Sequence, residues 1–210
     1  NNLPFLNKMQ MRTIALLLVT FLCKQAVSQH HYMFIGTYNS PDSQGIHVYK
    51  FNSETGTAEQ VSQTKTSNPS FLAVSPNKKY VYAVNEEGAE KGGKVASFSF
   101  NKKSGRLTLI NIKSSGGIHP CYITIDKKGK WIIAGNYSSG SLSVLPVKKG
   151  ILSNPIQTIQ HTGSGPDTIR QKSPHVHGVF IKKNSQFVYV TDLGIDRVMI
   201  YQQSKKTGML

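Results

Sequence analysis

The sequence repeats itself, and the period of that repeat restricts the fold more than any other feature. Three segments line up: Asn68-Pro69-Ser70-Phe71 through Tyr80 to Asn85, His119-Pro120 through Trp131 to Asn136, and Ser173-Pro174 through Phe187 to Asp192. The step from Pro69 to Pro120 is 51 residues and that from Pro120 to Pro174 is 54. Each segment reads as an apolar strand, a polar turn and a second strand ending in Asn or Asp. A third strand follows, as in Gly45–Tyr49, Gly93–Phe98, Ser141–Leu145 and Arg197–Tyr201. A fourth is expected after the turns Ser53-Glu54-Thr55-Gly56, Lys102-Lys103-Ser104-Gly105 and Lys205-Lys206-Thr207-Gly208. Runs rich in Val, Ile, Tyr and Phe between Gly, Asn, Ser and Pro are strand signals. Four antiparallel strands in about 50 residues are the signature of a β-propeller blade, against which the competing architecture is an elongated β-solenoid.

The fold class is therefore all-β, a partial β-propeller over residues 29–210. The chain holds between three and four units, whereas propellers typically close with four to eight blades. Thr207-Gly208-Met209-Leu210 corresponds to Ser104-Gly105-Arg106-Leu107, the turn that opens a fourth strand. The expectation is the N-terminal part of a longer propeller, closed by C-terminal blades that this sequence lacks.

The N-terminal segment reads differently. Met11-Arg12 opens a basic region, Ile14 to Leu22 is a short apolar run, and Ala26-Val27-Ser28 places small residues at two cleavage positions. A signal peptide over residues 11–28 is expected, cleaved after Ser28, with residues 1–10 an upstream extension. The run is too short to span a bilayer comfortably, so the mature protein is expected to be exported, periplasmic or secreted, without a transmembrane span. Leu22 before Cys23 argues against lipidation. Cleavage removes Lys8, Arg12 and Lys24 and no acid, lowering the formal charge from +15 to +12, and leaves Cys121 as the one cysteine. No intramolecular disulfide is then possible, and Cys121 within Cys121-Tyr122-Ile123-Thr124-Ile125 reads as a small core residue.

The positive charge would suit a polyanion, but its distribution does not. Lys78-Lys79, Lys102-Lys103, Lys127-Lys128, Lys148-Lys149, Lys182-Lys183 and Lys205-Lys206 fall in the gaps between strand-like runs. They read as solvated turns that keep sheet edges soluble, and no nucleic-acid partner is expected.

Gly36-Thr37-Tyr38, Val84-Asn85-Glu86, Ala134-Gly135-Asn136-Tyr137, and above all Pro174-His175-Val176-His177 followed by Asp192-Leu193-Gly194-Ile195-Asp196-Arg197, resemble the lactonase family of seven-bladed β-propellers. That family includes propeller-type 6-phosphogluconolactonases and a fungal carboxymuconate lactonizing enzyme, and the likeness covers about Met33 to Leu210. The resemblance implies a site at the mouth of the central channel, with the histidine falling in the Pro-His-x-His segment and one arginine at Arg197. A glutamate and a second arginine would come from later blades.

Opening a sugar lactone needs an activated water and a donor for the developing oxyanion. Histidine titrates near neutrality and suits the first role. Arginine suits the second, or can grip a phosphate or carboxylate with its fork. The candidate catalytic residues are accordingly His175, His177 and Arg197. If residues 175–177 are extended, alternation puts both histidines on one face. Asn85, Glu86, Asn136 and Tyr137, which end or follow second strands, and His119 before Pro120, are candidate substrate contacts. Structural roles compete at each: turn formation for the polar residues, core hydrogen bonding for the histidines, and pairing with Asp192 or Asp196 for Arg197. No third metal ligand stands beside the His-x-His pair, and no metal or cofactor is expected. The function expected is hydrolysis of a sugar lactone, phosphorylated or not. A lactone-forming cyclase is chemically close, and a non-catalytic exported propeller binding carbohydrate or an envelope partner is the alternative of a different class.

Overall fold

The computed structural model describes residues 30–41, 44–182 and 184–210. The expected extension, the signal segment 11–28, Cys23 and the cleavage position after Ser28 lie outside the described residues. Regular structure among the described residues is all β. Strands β1 (His30–Gly36), β2 (Ile46–Asn52) and β3 (Ala58–Thr64) form a first antiparallel sheet. A second contains β4 (Leu72–Val74), β5 (Tyr80–Asn85), β6 (Lys94–Asn101) and β7 (Arg106–Ser114). The third contains β8 (Pro120–Ile125), β9 (Trp131–Asn136), β10 (Ser141–Lys148), β11 (Ile151–Leu152) and β12 (Gln157–Gln160), the last two sharing β10 as partner. The fourth contains β13 (Val176–Ile181), β14 (Phe187–Asp192) and β15 (Arg197–Gln202). The second and third sheets thus show the full blade pattern; the first and fourth have three strands among the described residues.

Successive sheets pack face to face because their middle strands are apolar on both faces. In β5, Val81 and Ala83 join Ile46 and Val48 of the first sheet, while Tyr82 and Val84 join Ile123, Ile132 and Ala134 of the third. In β9, Ile133 turns the other way and packs on Val176, Val179, Val188 and Val190 of the fourth. This explains the continuous apolar runs Tyr80-Val81-Tyr82-Ala83-Val84 and Trp131-Ile132-Ile133-Ala134, since a strand buried on both faces does not alternate. Three apolar layers separate four sheets. Along the first strands, Tyr122 stacks on Phe71 with ring centroids 4.1 Å apart and leans on Phe180 at 5.2 Å. The lysine pairs at 78–79, 102–103, 127–128, 148–149 and 205–206 occupy exposed ends and turns of strands.

The backbone corrects the repeat alignment. Glu86 N donates to Asn68 O, Tyr137 N to His119 O and Leu193 N to His175 O, so these pairs are equivalent positions in three successive sheets. His119 therefore corresponds to His175, and Pro120 to Val176 rather than to Pro174. β8 and β13 also carry the same bulge, at Cys121 and at His177. A bulge adds one residue against the partner strand and re-aims its side chain. His175 thus precedes β13 and His177 is the extra residue of the bulge, so the two are not same-face positions of a simple alternating strand.

Both-face burial sets a stability expectation. Ile132→Ala in fully buried β9 should cost about 2–5 kcal/mol in urea unfolding, as large-to-small core changes do. Leu109→Ala, at a position 49% exposed, should cost less than about 1 kcal/mol. Equal losses at the two positions would contradict the packing described.

Candidate active site

The turns after β5, β9 and β14 and the segments entering β4, β8 and β13 meet at one end of the stacked sheets. After β9, Tyr137-Ser138-Ser139-Gly140 makes a tight turn in which Gly140 N donates to Tyr137 O at 3.1 Å, with Gly140 at φ +58°. The turn presents the Tyr137 ring to the fourth sheet. His175 stacks on it with centroids 4.5 Å apart and planes 9° from parallel. His177 meets the same ring edge-on at 5.9 Å and 82°. Two histidines and a tyrosine are thereby brought together from two blades.

The His175 ring has a defined polarity. Its Nδ1 lies 3.2 Å from Tyr137 O. A carbonyl only accepts, so Nδ1 carries the hydrogen in this contact and the neutral ring keeps its lone pair on Nε2. The backbone of His175 is held at both ends: its N–H donates to Asp192 Oδ1 at 2.7 Å, and its carbonyl accepts from Leu193 N at 2.9 Å. Gly194 permits this, since a Cβ there would come within 1.8 Å of Ser173 O.

Glu86 and His119 lie at the same end. Tyr38 Oη donates to Glu86 Oε2 at 2.8 Å, and Ser70 Oγ donates to the same oxygen. Cys121, at the bulge of β8, directs its Sγ to the carbonyls of Val176 and His177 at 3.6 and 3.7 Å. Burial, and then the Glu86 carboxylate, push the Cys121 thiol up to about 12. It stays protonated at neutral pH, where a nucleophilic role would need the thiolate. His119 bridges two loops: Nδ1 lies 2.7 Å from Ser138 Oγ, and Nε2 faces Gly88.

Three candidates stand apart from this group. Asn85 and Asn136 are buried, not on the rim, because their amides latch the loops beside them. Asn136 Nδ2 donates to Ser115 O at 3.2 Å and Asn85 Nδ2 to Thr66 Oγ1 at 2.8 Å and to Ser67 O. Both side chains hold neighbouring loops through Nδ2, and neither Oδ1 has a partner within the protein. Arg197 is exposed at the start of β15, opposite Asp192 in register. It lies at the same end as His175 but two strands away from β13, about 10 Å by the usual strand spacing. Among the described residues no hydrogen bond or ion pair joins it to Asp192, His175 or His177.

Asp192 is engaged elsewhere. Its Oδ2 lies 2.6 Å from Nδ1 of buried His161, whose Nε2 is 2.8 Å from Tyr201 Oη. Burial, and then Asp192, raise the Tyr201 phenol above its ordinary range, which keeps it a donor. His161 and Tyr201 were not legible from motifs, although the change from Asn85 and Asn136 to Asp192 at one repeat position was a visible signal. A cavity of about 300 Å³ between the third and fourth sheets opens at the opposite end. Its Lys127, Lys128, Lys182 and Lys205 surround Asp126, whose Oδ1 is taken by Lys130 N and Trp131 N at 2.6 and 2.8 Å. It offers no histidine and no free carboxylate. Among the described residues no three His, Cys, Asp or Glu side chains are grouped to hold a metal, and no helix is long and apolar enough to cross a membrane.

Stacked antiparallel sheets of three to five strands that follow one another along the chain are the blades of a β-propeller. Residues 32–210 match the model of the family described as lactonase, 7-bladed beta-propeller, and the chain belongs to that family. It is 33% identical over 179 residues to the 6-phosphogluconolactonase of Bacillus subtilis strain 168, covering 84% of this chain and 50% of that protein. It is 36% identical over 167 residues to the 6-phosphogluconolactonase of Formosa agariphila, covering 78% and 47%. The solved structure of the Pseudomonas aeruginosa periplasmic gluconolactonase superposes with a TM-score of 0.78 at 32% identity, covering 85% of this chain and 51% of that one. The chain spans about half the length of the curated relatives it matches.

The Cys121 environment yields a direct expectation. At pH 8 the Cys121 peptide, followed by mass spectrometry, should take up iodoacetamide at least about a hundredfold more slowly than a free cysteine of ordinary pKa. Alkylation at the rate of a free thiol would contradict the burial and the Glu86 neighbour.

Proposed function

We propose that this chain supplies the histidine-bearing part of a lactone hydrolase that opens a sugar lactone to the aldonic acid. The observation that carries the reading is the His175 ring, held by Tyr137 O so that Nε2 is the free, basic nitrogen. In the reaction Nε2 takes a proton from water as the water oxygen bonds to the lactone carbonyl carbon. The carbonyl π electrons move to oxygen, giving a tetrahedral oxyanion, and an N–H of His177 is placed beside Tyr137 to donate to it. Collapse breaks the bond to the ring oxygen, which takes the proton from His175 and leaves as the sugar hydroxyl. The new carboxylic acid then loses its proton to solvent.

Arg197 suits the far end of the substrate. A guanidinium two strands out from β13 can reach inward and grip a phosphate through two parallel hydrogen bonds. A lactone with a terminal phosphate would use both ends of the site, whereas an unphosphorylated lactone would use only the histidine end. Export through the 11–28 segment is part of the proposal, and it favours the unphosphorylated substrate. The description of the Pseudomonas relative as a periplasmic gluconolactonase supports that combination. Further blades complete the propeller in this reading: the far face of the fourth sheet exposes Val198 and Ile200 at 58% and 60%, an apolar surface suited to another sheet.

The test is hydrolysis of 6-phosphogluconolactone and gluconolactone by the full-length protein, each corrected for the spontaneous rate. His175→Ala should lower kcat by about 10²–10⁴, the usual worth of a general base. Arg197→Ala should raise KM for the phosphorylated lactone alone. No rate above background on either lactone would overturn the proposal in favour of a non-catalytic exported propeller.

A further inference from the structure

The end of the second strand is occupied by Asn85, Asn136 and Asp192 in three successive sheets. In the two asparagines, Nδ2 latches the neighbouring loop and the buried Oδ1 has no partner. In Asp192 both oxygens are used. Oδ1 accepts from His175 N at 2.7 Å, Gly194 N at 2.9 Å and Ile195 N at 3.3 Å, and Oδ2 meets His161 Nδ1 at 2.6 Å. His161 in turn stands where Ser115 stands one sheet earlier, since His161 N donates to Gly140 O as Ser115 N does to Gly93 O. The side chains of His161 and Asp192 are 2% and 0% exposed, beyond direct reach of a substrate. The equivalent His119 has its N–H on a backbone carbonyl, Glu87 O, at 2.8 Å. The carboxylate latch therefore occurs in the blade that carries His175 and His177.

We propose that half-buried Tyr201 and buried His161 and Asp192 form a positioning chain that holds the His175 backbone, and through it the imidazole, against Tyr137. Hydrogen bonds to a carboxylate are roughly twice as strong as those between neutral groups. His161 fixes the carboxylate's rotation and Tyr201 fixes the His161 ring. None of the three touches substrate. The proposal rests on the lactonase reading for its kinetic consequence, but its structural consequence is independent of it.

Asp192→Asn is the discriminating variant. The amide oxygen can still accept from the three backbone N–H groups, and Nδ2 can donate to His161 if that ring moves its hydrogen to Nε2 and donates to Tyr201. Asn at this position is compatible with the fold, as Asn85 and Asn136 demonstrate. Expected in the full-length protein is a fall in kcat of about 10–100-fold, the range for residues that orient a functional group, with KM within about twofold and the thermal midpoint nearly retained. His161→Gln should give a similar fall and Tyr201→Phe a smaller one.

The second readout is the ¹⁵N NMR spectrum of the His175 ring, which should report an Nδ1–H tautomer in the wild type and a mixture in Asp192→Asn. Unchanged kcat and an unchanged His175 spectrum in Asp192→Asn would overturn the proposal and reduce the chain to a structural latch. If the wild type hydrolyses no lactone, the lactonase reading fails, and the NMR comparison alone decides the positioning chain. If Asp192→Asn does not fold, Tyr201→Phe and His161→Gln are read in its place by the same two measurements.

Discussion

Everything in this structure depends on middle strands that bury both of their faces. β5 and β9 each contribute alternate side chains to two different apolar layers, so neither sheet can form its packing alone. A two-faced strand of this kind has no polar side to offer water. It must be flanked, and flanking it with copies of itself stacks blade upon blade. The lysine-rich turns, the exposed strand ends and the position of the rim are consequences of that stacking.

The rim inherits its regularity from the same repeat. One backbone hydrogen bond recurs in three sheets and places Asn68, His119 and His175 in equivalent positions, followed by Ser70, Cys121 and His177 two residues on. The scaffold therefore presents the same two sites in these three sheets, which differ in the side chains that occupy them. In the fourth sheet both are histidines. Tyr137 from the preceding blade receives them, one stacked and one edge-on. Fold alone does not dictate function, and here the difference between blades is a matter of three or four side chains on a common backbone.

The blade pattern was legible in the sequence because a 51-residue step between Pro69 and Pro120 is long-range order that no local ambiguity erases. His175 and His177 were legible as candidates through the Pro-His-x-His segment that resembles the lactonase family, and Tyr137 through its place after a second strand. The register of the fourth sheet was not: an alignment anchored on Pro174 is two residues out, because the connection from β12 into β13 is longer and a bulge at His177 leaves no trace in hydrophobic alternation. The loop contacts of Asn85 and Asn136 were not legible, because a strand-ending asparagine looks the same in sequence whether or not its amide holds a neighbouring loop. His161 carries no mark of its own, because its partner Asp192 is 31 residues away and only the Asp at a repeat position otherwise held by Asn sets the pair apart. Contacts set by tertiary packing across a long connection have no period to detect.

The central claim is that the His175, His177 and Tyr137 cluster is where a lactone binds. A crystal structure of the full-length protein with a non-hydrolysable sugar lactam tests it most directly. The expected result is the lactam carbonyl at this rim, with a water about 3 Å from His175 Nε2 and in line with the carbonyl carbon. Binding of the lactam at the opposite end, between Lys127 and Lys182, with the histidine rim empty, would contradict the account.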